Sequence, residues 1–235
     1  MSNSDFHTTH WSVVLTAKGD DTAAREALST LCETYYQPVL RYIERSTGMD
    51  SARRYGGRDA RDLTHDFFTQ LLEGEMFSQL QKRERKLFRS YLLGAVRHFL
   101  SVVRNRELAD KRGGEAVFVS LQLQTSEPAA PELDDALFDR DWAQAIIDHA
   151  MQQLETVHDN TPAQVLLPWL SKTLTADDRI TLSQTLNMND TAIKVLVHRL
   201  RKKFRELVKS IIAETVEHPS EINAELARLV NALNF

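Results

Sequence analysis

Apolar residues recur at helical spacing along most of the chain. In TAAREALSTLCETYYQPVLRYIERS, the residues Ala27, Leu28, Leu31, Tyr35, Val39, Tyr42 and Ile43 fall on one face of a helix. Pro38 lacks the amide that a helix interior uses, so it is expected to kink or divide that helix. MDSARRYGGRDARD, with Gly56 and Gly57, reads as a loop. After it, DLTHDFFTQLLEGEMF resumes the helical period through Leu63, Phe67, Leu71 and Leu72, with Asp62 placed to cap the first turn. A third stripe is the longest of this half: Phe88, Tyr91, Leu92, Ala95, Phe99 and Val102 line up, leaving Arg89, Arg97 and Arg104 off it. Gly113 and Gly114 should stop it.

In AVFVSLQLQ the residues Val117, Val119, Leu121 and Leu123 alternate, but no second strand is present to pair with them, so an extended segment docked on a lobe is expected. The Pro, Ala and acidic residues from Thr125 to Asp139 read as a flexible connection. Helical spacing returns with Phe138, Trp142, Ala145, Ile146, Met151 and Leu154, and a shorter segment is interrupted at Pro168. Two further helical patterns then flank Leu186-Asn187-Met188-Asn189, and a last one, through Ile222, Leu226, Leu229 and Leu233, follows Pro219.

Composition changes this picture little, but charge distribution changes it a good deal. The net charge of −4 disfavours a polyanion binder only on average. Residues Lys82 to Arg112 and Lys194 to Lys209 are strongly basic, and the acidic stretch EPAAPELDDALFDRD lies between them. A single cysteine, Cys32, among Leu28, Leu31 and Tyr35, excludes an intramolecular disulfide and reads as a packed thiol. No apolar run approaches the roughly 18 residues of a membrane span, and MSNSDFHTTH lacks the regions of a secretion signal, so a cytoplasmic location without membrane attachment is expected. His7 and His10, and His65 beside Asp66, have no third ligand at suitable spacing, so no metal or other cofactor is expected. With no nucleophile elbow, phosphate loop or paired carboxylates, neither is an enzyme.

The chemistry is concentrated in TLSQTLNMNDTAIKVLVHRLRKKFREL. A helix-turn-helix needs a small residue in its first helix, a turn residue that tolerates positive φ, and a cap for the second helix. Ser183, Asn187 and Asn189 meet those needs, and Met188 fills the gap. Beyond the turn, Ile193, Val197, Leu200, Phe204 and Leu207 share one face, and Lys194, His198, Arg201, Lys202 and Arg205 share another. A helix with separated apolar and basic faces can anchor to a domain and meet DNA at once. Alone, the same helix reads sooner as a solvated face, or as one that meets a membrane surface or a partner, than as a DNA reader, and the turn before it reverses that order.

This segment resembles the region 4 helix-turn-helix of sigma-70-family transcription initiation factors of the extracytoplasmic-function (ECF) type. Independently, DLTHDFFTQLLE resembles the region 2.2 helix, and FRSYLLGAVRHFLSVVRNRELADKRGG resembles regions 2.3 and 2.4, with Tyr91-Leu92 where many relatives carry Trp-Leu. TTHWSVVL, FDRDWA and ETVEHPSEINAEL look like a subgroup of such factors, so the resemblance covers nearly the whole chain. Asn187 stands for the usual turn glycine, Ser183 for alanine, His65 for glutamine, and Val102 and Val103 for polar residues.

The resemblance implies an all-α chain with two small helical domains joined by a flexible linker. The implied divisions are an N-terminal segment 1–21, a region 2-like bundle 22–112, a linker 113–137, a region 4-like domain 138–215 and a C-terminal helical extension 216–235. It also implies a factor that binds core RNA polymerase, through the β′ clamp helices and the β flap, and directs it to promoter DNA. An anti-sigma protein or other regulator is a further partner of such factors. Lys194, Val195, His198, Arg199 and Lys202 would read the −35 element, and Arg89, Tyr91, Arg97, His98, Arg104 and Arg106 the −10 element. Asp62, His65, Asp66 and Gln70 would face the clamp. Phe88 and Tyr91 admit two readings, as stacking platforms for unpaired bases or as core. The rivals are a stand-alone helix-turn-helix regulator that dimerises through its first lobe, and an adaptor whose basic helices bind acidic proteins.

Overall fold

The computed structural model describes residues 10–16, 22–48, 55–73, 87–110, 132–157 and 161–234. All regular structure among these residues is helical. The helices are α1 (His10–Thr16), α2 (Thr22–Thr47), α3 (Ala60–Glu73), α4 (Phe88–Asp110), α5 (Glu132–Val157), α6 (Thr161–Leu166), α7 (Ala176–Leu186), α8 (Asp190–Glu214) and α9 (Ile222–Leu233). Short 3-10 turns at Leu167–Trp169 and Pro219–Glu221 take up the two later prolines at their starts, where a missing amide is harmless. The alternating segment Val117 to Leu123 and the Gly113-Gly114 stop lie outside the described residues.

The described residues form two compact units, one within Met1–Ala145 and Ala213–Phe235, the other within Ile146–Ile212. The helix expected to open the second domain thus contributes its first turns to unit 1, and the C-terminal extension joins unit 1 too.

In unit 1, α2 packs against α1, α3 and α4. Its stripe Ala27, Leu28, Leu31, Tyr35, Val39, Tyr42 and Ile43 is buried as the periodicity predicts. The division expected at Pro38 does not occur, and α2 runs through it. Only one ladder hydrogen bond is lost there, and burial of Tyr35, Pro38 and Val39 holds the two halves in line. Cys32 is buried, and its thiol is pushed up to about 12 by burial, with the charge of Glu33 adding to it. It is therefore protonated and packed at neutral pH.

The start of α3 differs in detail from expectation. Asp59, not Asp62, caps the helix: its Oδ1 accepts from the amides of Arg61 and Asp62, both at 2.8 Å. Asp62 completes a reciprocal box by accepting from the Asp59 amide at 3.2 Å. The loop before it turns through Gly56 and Gly57 at positive φ, as their lack of a β-carbon allows.

A larger difference concerns the acidic stretch. The flexible connection was expected to reach Asp139, yet helix begins at Glu132. Phe138 and Trp142 are fully buried, with Phe138 edge-on to Tyr42 at 5.9 Å. Asp141 takes Arg41 at 3.1 Å and Arg45 at 2.6 Å, Asp139 takes Arg89, and Asp135 takes Arg97. Burial of two aromatics and neutralisation of the carboxylates by arginines of α2 and α4 order a segment whose composition alone reads as linker.

Unit 2 has its own core, in which Leu154, Ala163, Leu166, Leu182, Ile193, Val197 and Leu200 are buried, with Met188, Phe204 and Leu207 packed at its edge.

Candidate nucleic-acid interface

The helix-turn-helix is built from α7 and α8 by residues whose local preferences agree with it. Thr175 and Asp178 form a capping box that starts α7, the Thr175 hydroxyl accepting from the Asp178 amide at 3.2 Å. The Thr175 hydroxyl also donates to Asp178 Oδ2 at 2.6 Å and the Thr175 amide does so at 2.9 Å, and these bonds, the hydroxyl's above all, hold the Asp178 carboxyl below its ordinary range. Asn187 ends α7 in the left-handed region at φ 50°, and the amides of Asn187 and Met188 both bond the Ser183 carbonyl. Asn tolerates that conformation better than other non-glycine residues, which explains how the turn forms without glycine. Asn189 then caps α8: its Oδ1 accepts from the Ala192 amide at 2.7 Å. Asn189→Ala should lower the stability of unit 2 by about 1 kcal/mol, readable in chemical denaturation. An unchanged midpoint would show the cap to be idle.

From this start, α8 buries Ile193, Val197 and Leu200 and turns Lys194, Val195, His198, Arg199 and Lys202 outward. Val195 is 43% exposed and lies among the basic residues of this face. The five residues expected to meet the −35 element therefore share one open surface. Arg201, placed on the basic face by periodicity, instead donates to the carbonyls of Trp169 at 2.8 Å and Lys172 at 2.6 Å, tying α8 to the segment before α7. Asp190, which periodicity alone does not single out, lies 2.6 Å from both Lys194 Nζ and Arg179 Nε.

The residues expected at the −10 element are not brought together. Arg89 is 8% exposed, paired with Asp139 and Glu225, and stacked 4.9 Å from the Trp142 ring. Tyr91 is buried with its ring 6.1 Å from Trp11, and Phe88 is fully buried between Trp11 at 5.0 Å and Tyr35 at 4.8 Å. Arg89 and Tyr91 are thus packed into unit 1, because α5, α9 and α1 supply the partners that close over them. The core reading of Phe88 holds for the same reason. Arg97 is half-buried, donating to the Tyr42 hydroxyl at 3.1 Å and paired with Asp135. His98 is half-buried, and Arg104 and Arg106 are exposed.

On α3, Asp62, His65 and Gln70 are exposed and Asp66 is partly so. His65 Nε2 shares a hydrogen bond with the Tyr36 hydroxyl at 2.9 Å, and Asp66 accepts from Arg58 at 3.2 Å. Arg58 also reaches Glu107 at 3.4 Å, which fixes the α3 face to the far end of α4. Among the described residues no group of His, Cys, Asp and Glu could hold a metal ion, and no helix is long and apolar enough to cross a membrane.

Missed by periodicity were Asp59, Asp190 and the carboxylates Asp135, Asp139 and Asp141. A signal for the first two was present. Asp59-x-x-Asp62 has capping-box spacing, and Asp190-x-x-x-Lys194 is an i,i+4 pair in the favourable order. Nothing local marks the partners of the other three, because their arginines lie 38 to 100 residues away.

No curated protein and no solved structure matches the chain. The model of the ECF sigma factor family, however, matches residues 9–210, which take in all of α1 to α7 and most of α8. A capped helix-turn-helix with an open basic face, a helical bundle before it and a family match across both place this chain in the ECF sigma factor family, whose role is to associate with RNA polymerase and confer promoter-specific transcription initiation.

Proposed function

We propose that the outward face of α8, Lys194, Val195, His198, Arg199 and Lys202, reads the −35 element, and that Arg97, His98, Arg104 and Arg106 of α4 engage the −10 region. Core polymerase is held by the α3 face, Asp62, His65, Asp66 and Gln70, on the β′ clamp helices, and by unit 2 on the β flap. The observation that carries this reading is the division of α8. Its apolar residues are buried in the core of unit 2, and its basic residues, with one exposed valine, form a separate outer surface. Such a surface offers ammonium and guanidinium groups to phosphates and base edges, with an apolar patch suited to a thymine methyl.

Run-off transcription with core polymerase from the source organism tests the reading. Specific product from a genomic promoter is expected, and its absence from every genomic template, with the protein shown to be folded and bound to core, would overturn it. The clamp assignment has its own test in Asp66→Arg. The new guanidinium stands beside Arg58 and reverses the charge offered to a basic partner, so affinity for core should fall at least about tenfold. Unchanged affinity in a fluorescence titration would remove Asp66 from the interface.

A further inference from the structure

Asp190 is the first residue of α8 and follows the capping Asn189, so it is free of the capping task. Its two carboxylate oxygens face two cations. Oδ1 lies 2.6 Å from Arg179 Nε, and Oδ2 lies 2.6 Å from Lys194 Nζ. Arg179 is itself held, because its Nη1 donates to the Leu174 carbonyl at 3.2 Å. The carboxylate is thereby placed against the α7 side, and it in turn draws toward itself the Lys194 ammonium, which sits on a flexible four-carbon stem. Side-chain exposures of 47% for Asp190 and 54% for Lys194 leave both groups open to a ligand. The Lys194 hydrogen bond above all holds the Asp190 carboxyl below its ordinary range.

An ammonium has three protons. With one given to Asp190, two remain for acceptors in the groove, and the carboxylate next to them can only accept. In the major groove a guanine offers two adjacent acceptors, N7 and O6, and its cytosine offers an amino donor beside them. A donor next to an acceptor matches that order. The carboxylate also repels phosphate and thymine O4, which a lone lysine would attract.

We infer that Asp190 is a specificity-determining residue: with Lys194 it forms a paired reader that selects a G·C base pair in the upstream promoter element, guanine to the ammonium and the amino group to the carboxylate. The inference rests on the reading of α8 as the −35 helix.

The test is a binding selection with holoenzyme, made from the full chain and core polymerase of its organism, on promoter duplexes randomised in the upstream element. Wild type should enrich a motif containing a G·C pair. Asp190→Ala and Asp190→Asn should lose preference at that pair by about tenfold while keeping the remaining positions. Asp190→Ala should also bind non-specific duplex more tightly, its affinity falling more steeply with salt, and Asp190→Glu should restore the preference in part. An unchanged motif in Asp190→Ala would overturn the inference and leave the −35 reading standing. A uniform weakening at every position would also overturn it, leaving Asp190 a structural part alone. A wild-type holoenzyme that enriches no upstream motif would overturn the reading of α8 and this inference together.

Discussion

Arg89→Ala is expected to lower the stability of unit 1 by about 3 kcal/mol, by leaving the buried Glu225 carboxylate without this cation. Glu225 is 2% exposed and lies 3.6 Å from Arg89 Nε, and Asp139 pairs with the same guanidinium. Removing one partner of a buried ion pair costs roughly 3 to 5 kcal/mol, because the other charge stays desolvated. The lower end applies because Arg228, on the solvent side, still reaches Glu225 at 2.5 Å. The stacking of Arg89 over Trp142 is lost as well. Urea denaturation followed by tryptophan fluorescence measures the effect, since Trp11 and Trp142 are both buried in this unit. Arg89→Lys should fall between the two, keeping the charge but not the planar fork. An Arg89→Ala protein of normal stability that fails only to open promoters would return Arg89 to the DNA surface.

That expectation reverses the role that the primary structure alone suggests for Arg89, and the reason is instructive. Helical periodicity reports which side of a helix is apolar, and it placed Arg89 off the stripe of Phe88, Leu92 and Ala95. It carries no information about a second layer. Here the second layer comes from Asp139 of α5 and Glu225 of α9, 50 and 136 residues away, so an off-stripe arginine became a buried one. Tyr91 was legible only as an alternative between core and stacking platform, and Trp11 of α1 decided it.

By contrast, the helix-turn-helix was legible almost residue by residue. Its determinants are local: a left-handed Asn187, a capping Asn189, and a stripe from Ile193 to Leu200 that supplies one wall of the core of unit 2. The same contrast applies to the acidic stretch. Charge and proline made Thr125 to Asp139 resemble a linker, and burial of Phe138 together with the distant Arg89 and Arg97 turns its latter part into a docked helix. Local chemistry is readable from the chain, whereas the compensation of charge between remote segments is not.

The double variant Lys194→Ala, Arg199→Ala should reduce promoter-specific initiation by about a hundredfold or more, with affinity for core polymerase unchanged. A good base contact is worth roughly 1 to 3 kcal/mol of discrimination, so each substitution removes about one to two powers of ten. The two positions are five residues apart on α8, about 7.5 Å along its axis, far enough for their effects to add nearly independently. The Lys194 change carries a second consequence. It leaves the Asp190 carboxylate with Arg179 alone, so an anion less well compensated faces the groove, and Lys194→Ala should cost more than Arg199→Ala. Adding Asp190→Ala to Lys194→Ala should recover part of the lost affinity for DNA, because the repulsion goes with the carboxylate. Both exposed side chains are far from saturating the core of unit 2, in which Ile193, Val197 and Leu200 remain, so folding should be intact. Initiation assays and a parallel core-binding titration separate the possibilities. Loss of core binding would move these residues to a polymerase contact, and full promoter activity would exclude them from DNA recognition.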